Sequence, residues 1–182
     1  MQIVELENMP KVADILDTPL SDPTLVYKTC QEMVELCEAE NGLGLSAIQV
    51  GLPWKLFVVK STGGCRLIPK GEYGFFVNCD YAPITDEQVI SLEGCLSVKS
   101  SDKQSRIFEV KRYTNIILRG LMMVLANKNT PVEDGIVFSH GIKFVPIEEN
   151  VSFSEQGVVF QHEIDHHRGL LISDIGKEIF LW

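Results

Sequence analysis

Residues 154–169 read SEQGVVFQHEIDHHRG, and the fold turns on whether this stretch is a helix. Ser152 and Glu155 have capping-box spacing, Ser154 offers a second cap, and Gly169 supplies a stop, so the pattern predicts a helix from near Ser152 or Ser154 to about Arg168. On such a helix His162 and His166 project from one face about one turn apart, where both can reach a common ion. Glu163 sits beside them, and its carboxylate can approach a water at that ion without being a ligand. His167 points elsewhere on the helix, which predicts a surface or supporting position. The same five-residue pattern also arises in unrelated helices. Two histidines do not complete a catalytic site, because such sites keep three protein ligands and one open position.

Downstream of His166 the chain offers only Asp174 and Glu178 before Trp182. That argues against a zincin-type protease, which takes its third ligand from beyond the second histidine. Upstream, SLEGCLS at residues 91–97 places Cys95 just after a predicted strand, where a thiolate can coordinate the ion and the Leu96 N–H would face the site. The five cysteines are an odd number without a tight CxxC pair, which favours free thiols in a reducing compartment. Cys30, Cys37, Cys65 and Cys79 read as small buried or half-buried thiols, as Cys95 would if taken alone. A further segment, GLGLSAIQ at residues 42–49, carries two glycines that let backbone approach a ligand closely, and Gln49 offers a neutral amide donor. It reads equally as a helix stop followed by a turn; no Gly-Lys-Ser/Thr follows to make a phosphate loop.

The rest of the chain frames these segments. Leu25, Val26, Cys30, Met33, Val34, Leu36 and Cys37 recur at helical spacing and predict a helix over 23–40, with Asp22-Pro23 as its start and Asn41-Gly42 as its stop. Residues 55–60, 74–78 and 87–92 read as strands, and 109–119 as one or two more around a turn or bulge at 113–115. Residues 127–150 read as a loop or short hairpin. With no repeat, low-complexity tract or linker, one α+β domain over 1–182 is expected, with mixed or antiparallel strands around a metal-binding HExxH helix and an N-terminal helix.

Composition narrows the function classes. A net charge of −9 and a pI near 4.9 argue against a nucleic-acid surface, which gathers Lys and Arg to release counterions. The N-terminus lacks the basic flank and apolar core of a signal peptide, and the longest apolar run, residues 121–126, is far too short to span a bilayer. No membrane and no direct nucleic-acid partner are expected.

The segments GLGLSAIQ, EGCLS (93–97) and QHEIDH (161–166) together resemble the peptide deformylase family, whose pattern runs G-Φ-G-Φ-A-A-x-Q, E-G-C-L-S and Q-H-E-x-D-H in that order, Φ being apolar. The last two match completely, and the resemblance covers most of the chain. It implies hydrolysis of the formyl group from the N-terminal formyl-methionine of new polypeptides, releasing formate. Cys95, His162 and His166 would hold one divalent metal ion, Fe2+ in the cell, with Zn2+, Ni2+ or Co2+ as substitutes. Glu163 would act as general base and then acid, and Gln49 with the Leu96 N–H would stabilise the oxyanion. Gly44 would pair its backbone with the peptide, and Leu43, Val158 and Val159 would line the methionine pocket. Glu93 would pair with Arg112. Ser46, Ile48 and Lys99 depart from the family pattern, at positions that bear on the pocket rim more than on the chemistry. The stretch between Arg119 and Glu155 is longer than in compact members.

The resemblance further implies nascent formyl-Met chains as partners. It implies a cytoplasmic location, in a host cell if the chain is phage-encoded and in an organelle if a transit peptide precedes it. Only a short segment follows the HEIDH helix, where many bacterial members carry a ribosome-contacting helix, so any ribosome association is expected to be weak. Two other readings stay open at this level: a metalloprotease or amidase of another class, resting on HEIDH alone, and a deformylase-like binder without turnover.

Overall fold

The computed structural model describes residues 1–63, 66–100, 104–125, 136–137 and 141–180. Helix α1 spans Pro23–Ala39; Asp22 caps it by accepting from the Leu25 N–H at 2.9 Å, and Pro23 occupies the first turn, where no N–H is required. Its buried stripe is Val26, Cys30, Met33 and Cys37, the spacing of one helix face. Asn41, with φ of 56°, turns the chain out of the helix. The expected 23–40 helix is thus present.

Strand β1 (Gly44–Ser46) follows, then one 3-10 turn over Ala47–Val50, and then β2 (Leu56–Lys60), β3 (Tyr73–Pro83), β4 (Gln88–Glu93), β5 (Ile107–Tyr113) and β6 (Asn115–Leu125). Strands β7 (Ile136–Val137) and β8 (Ile142–Ser152) lead to helix α2 (Glu155–His167), the short α3 (Ile172–Ile175) and β9 (Lys177–Ile179). All strand pairs are antiparallel and form two sheets, one ordered β1-β2-β3-β6-β8-β7 and the other β4-β5-β9.

One ribbon joins the sheets. Pro83 pairs with Ile116 at the end of the first sheet and Gln88 with Tyr113 at the start of the second. Between them the Ile84 N–H bonds the Asn115 carbonyl at 2.9 Å, and the Thr114 N–H bonds the Glu87 carbonyl at 3.0 Å. The expected turn at 113–115 is therefore a bend at Thr114, across which the chain passes from one sheet to the other.

Strand β2 is buried on both faces, which explains its unbroken apolar run. Leu56 and Val58 pack with α1, whereas Phe57 and Val59 pack with Phe160 and Ile164 of α2, so the two helices lie on opposite faces of the larger sheet.

The region expected as a loop or short hairpin is largely a long strand. Strand β8 pairs with β6 along its whole length, from Leu125↔Ile142 to Asn115↔Ser152. Its polar residues alternate between the two faces: exposed Glu148 pairs with Arg119 at 2.9 Å, and the less exposed Glu149, on the opposite face, pairs with Arg66 at 3.0 Å. Among the described residues, β7 accompanies β8 at Lys143 and Phe144 and does not reach Pro146. The remainder of that prediction, 127–135 and 138–140, lies outside the described residues, as does Cys65.

Candidate active site

Helix α2 begins at Ser154, whose hydroxyl accepts from the Gly157 N–H at 3.2 Å. Ser152, the other candidate cap, ends β8 instead. The helix stops at Gly169, with φ of 72°. Three faces of α2 do different work. Phe160, Ile164 and the buried His167 enter the core, His167 lying 5.7 Å from the Phe57 ring, which corrects the surface expectation for that residue. Burial, as the first cause, pushes the His167 imidazole down to about 4 and keeps it neutral.

Gln161 and Asp165, one turn apart, tie the helix to the ribbon. The Tyr113 N–H donates to Gln161 Oε1 at 3.0 Å, Gln161 Nε2 returns a bond to the Tyr113 carbonyl at 3.1 Å, and the Tyr81 hydroxyl donates to Asp165 at 3.1 Å. These anchors were not assigned from sequence. Both residues belong to the QHEIDH segment, but their partners lie far away in the chain.

The third face carries His162, Glu163 and His166. Cys95, two residues beyond the end of β4, meets them: one ligand atom each from Cys95, His162 and His166 lie within 4.8 Å of one another. Cys95 Sγ is 3.6 Å from His166 Nε2. Cys95 and His166 are buried, while the His162 side chain is 10% exposed and so keeps an edge on the cleft. His162 Nδ1 is 2.9 Å from Glu93 Oε2, which leaves Nε2 for another partner. Burial opposes the charged form of His162, but its contacts with Cys95 and Glu93 outweigh that and raise its pKa; burial and the neighbouring His162 lower that of His166.

Glu93 is held by the Arg112 fork at 2.7 and 2.8 Å, the pair expected from the sequence. Burial alone would raise the Glu93 carboxyl, but the bonds from Arg112 and His162 prevail and hold it at about 2. The other Arg112 nitrogen donates to Asp165.

Glu163 lies beside the cluster, and burial pushes its carboxyl up to about 7. Its Oε2 is buried without a hydrogen-bond partner. A Cβ added at Gly44 would fall 2.4 Å from Glu163 Oε1 and 2.9 Å from Val159 Cγ1, so only glycine lets β1 approach α2 here. Gln49 is buried; its Oε1 accepts from the Ser46 N–H at 2.9 Å, and its Nε2 donates to Ser97 Oγ at 3.1 Å and lies 3.5 Å from Cys95 Sγ. Ser97 was not singled out from sequence.

A cleft of about 760 Å³ opens over these groups, and Leu43, Gly44, Gln49, Leu96, Val158 and Val159 line it together with Cys95, His162 and Glu163. His166 lies beneath it. Every residue expected at the site is therefore at or under one cleft.

The polypeptide deformylase family model matches residues 11–179. The peptide deformylase of Thermotoga petrophila is 30% identical over 148 residues, 81% of this chain and 70% of that protein. That of Thermodesulfovibrio yellowstonii is 27% identical over an alignment of 191 residues, covering 99% of this chain and 95% of its own. Among solved structures, a probable peptide deformylase from synechococcus phage S-SSM7 superposes with a TM-score of 0.67 at 23% identity, over 96% of this chain and 99% of the other. With a family model spanning nearly all of its length, this chain belongs to the polypeptide deformylase family.

Proposed function

We propose that the deformylation of N-formyl-Met peptides, the activity this chain has as a peptide deformylase, is carried by one divalent cation on Cys95, His162 and His166, with Glu163, Gln49 and Leu96 as the reacting shell. The observation that carries this reading is the convergence of one thiol and two imidazole donors within 4.8 Å. The donor set fits a catalytic divalent ion, because it offers three buried ligands and stops short of a closed four-ligand structural site. The unpartnered Glu163 Oε2 beside it fits as well, since a buried carboxylate oxygen without a donor calls for one. When bound, the cation supplies Lewis acidity, polarising the formyl carbonyl and making water acidic enough to lose a proton at neutral pH.

Glu163 takes that proton at its free Oε2 and later returns it to the departing amine. Gln49 Nε2 and the Leu96 N–H donate to the oxygen on which charge develops, where preorganised donors lower the barrier most. Gln49 is held for this by the Ser46 N–H on its other amide atom.

The peptide lies extended in the cleft. Consecutive residues from Ser91 to Leu96 all face it, so it follows the free edge of β4, and Gly42 to Gly44 form the facing wall on the free edge of β1. The Lys60 N–H bonds the Leu43 carbonyl at 2.8 Å, and pairs alternate along an antiparallel ladder, which turns the Gly44 N–H and C=O away from β2 and toward the cleft. Gly44 thus pairs with the peptide backbone, while Leu43, Val158 and Val159 receive the methionine side chain.

The chain works as one catalytic domain on nascent formyl-Met polypeptides in the cytoplasm, with weak ribosome association and no direct nucleic-acid contact. No helix among the described residues is long and apolar enough to cross a membrane. Fe2+ is the working ion, with Zn2+, Ni2+ or Co2+ able to occupy the same ligands. Protein purified anaerobically with iron should release formate from formyl-Met-Ala-Ser and lose both metal and activity on Cys95→Ala. Metal retained in that variant, with cleavage of unformylated peptides, would instead favour another class of hydrolase.

A further inference from the structure

Arg112 is buried between two carboxylates, Glu93 and Asp165, and all three side chains are 5% exposed or less. Two carboxylates share the one guanidinium, and Glu93 has the His162 imidazole as a further partner, which leaves Asp165 in need of a second one away from water. The compensation comes from the surface. Arg168 NH1 lies 3.7 Å from Asp165 Oδ1 while its side chain remains 36% exposed. It is fixed there by stacking 4.0 Å over the Tyr81 ring and by bonds to Asp80 and the Tyr81 carbonyl, the latter at 2.8 Å. The Tyr81 hydroxyl then donates to the same Asp165 oxygen at 3.1 Å. Burial first, and the Asp165 charge second, push the Tyr81 phenol up to about 12, so it remains a donor.

We propose that Tyr81 and Arg168 are positioning residues for the metal site, clamping Asp165 so that Arg112 holds Glu93 where it fixes the His162 ring with Nε2 directed at the ion. The inference rests on the proposed ligand set. The chain of contacts is continuous: Tyr81 to Asp165, Asp165 to Arg112, Arg112 to Glu93, and Glu93 Oε2 to His162 Nδ1 at 2.9 Å. Changing a partner that orients a ligating imidazole typically costs about 10–100-fold in metal affinity. What distinguishes Tyr81 and Arg168 is that they act from the far side of the helix and touch neither the cleft nor the ion.

Tyr81→Phe removes one oxygen and keeps the ring beneath Arg168. With Co2+ as the probe, this variant should bind the ion about tenfold more weakly than the parent. Its visible cobalt bands should shift, and kcat for formyl-Met-Ala-Ser should fall with KM unchanged. Arg168→Gln should weaken Co2+ binding by a smaller factor that shrinks further in high salt, and Arg168→Lys should recover part of it. A Tyr81→Phe protein whose melting temperature drops while its cobalt affinity and spectrum match the parent would reduce Tyr81 to a fold contact and overturn the proposal. So would a variant indistinguishable from the parent in every respect. A parent protein that takes up no cobalt, or shows no thiolate band lost on Cys95→Ala, would overturn the ligand assignment itself and this inference with it.

Discussion

Glu163 illustrates how one residue acquires a role from its surroundings. In the proposed centre Glu163 has room beside the ligand cluster because Gly44 has no side chain, the space a Cβ would take being 2.4 Å from its Oε1. Glu163→Ala is expected to retain close to one metal ion per chain, measured by elemental analysis, while deformylation falls by roughly two to four orders of magnitude, the scale of a lost general base. Gln49 is tied at both ends of its amide. Gln49→Leu should lower kcat about a hundredfold with little change in KM, since its donor bond strengthens only as charge develops; a change in KM alone would remove it from the oxyanion site. Cys95 sets the vulnerability of the centre. Affinity along the first-row series does not select iron, but an Fe2+ ion beside a thiolate exposes the sulfur to stepwise oxidation. Turnover should therefore be highest in protein loaded with Fe2+ without air and decay on exposure to air, while the Ni2+ form persists. Zinc protein equal to the iron form would refute that choice of ion.

At the level of elements, the site depends on how α2 is fastened to the ribbon that runs through both sheets. Gln161 takes both backbone groups of Tyr113 at the bend, so a single side chain fixes the helix where the two sheets diverge. Gln161→Leu would leave that half-buried N–H and carbonyl without their side-chain partner. Each group left unsatisfied costs up to about 1–3 kcal/mol, so urea unfolding should report a loss of about 2–6 kcal/mol at most. Metal content at saturating ion should be preserved if the helix redocks. The close approach of β1 to α2 is the companion constraint, and both constraints act through residues of the three sequence segments that line the cleft.

Across the whole molecule, the proposed centre links parts of the chain that neither sheet joins directly. Cys95 follows β4 of the smaller sheet, His162 and His166 belong to a helix packed on the larger one, and Cys95 and His166 are 71 residues apart. An ion held by both therefore stabilises the folded state by linkage, and its removal with a chelator should lower the melting temperature by several degrees, with recovery on adding Ni2+. Cys95→Ala should show the lower value with or without ion. Much of this was legible in the sequence. The periodicity of α1, the caps at Asp22 and Ser154, the stop at Gly169 and the i,i+4 histidines are local features set by residues within a turn or two of each other, and the chemistry of the donors is intrinsic to the residue types. The tertiary structure decided the rest. Strand β8 looked irregular because its glutamates and Pro146 have no local explanation; they make sense only once β6 lies alongside and supplies Arg119. For His167 the spacing leaves a surface and a supporting position both open, because it says which face a side chain takes and not what covers that face, here Phe57. Tyr81 and Asp165, 84 residues apart, meet because a strand register and a helix docking angle bring them together. Such contacts depend on the packing of whole elements, which no neighbouring residues encode.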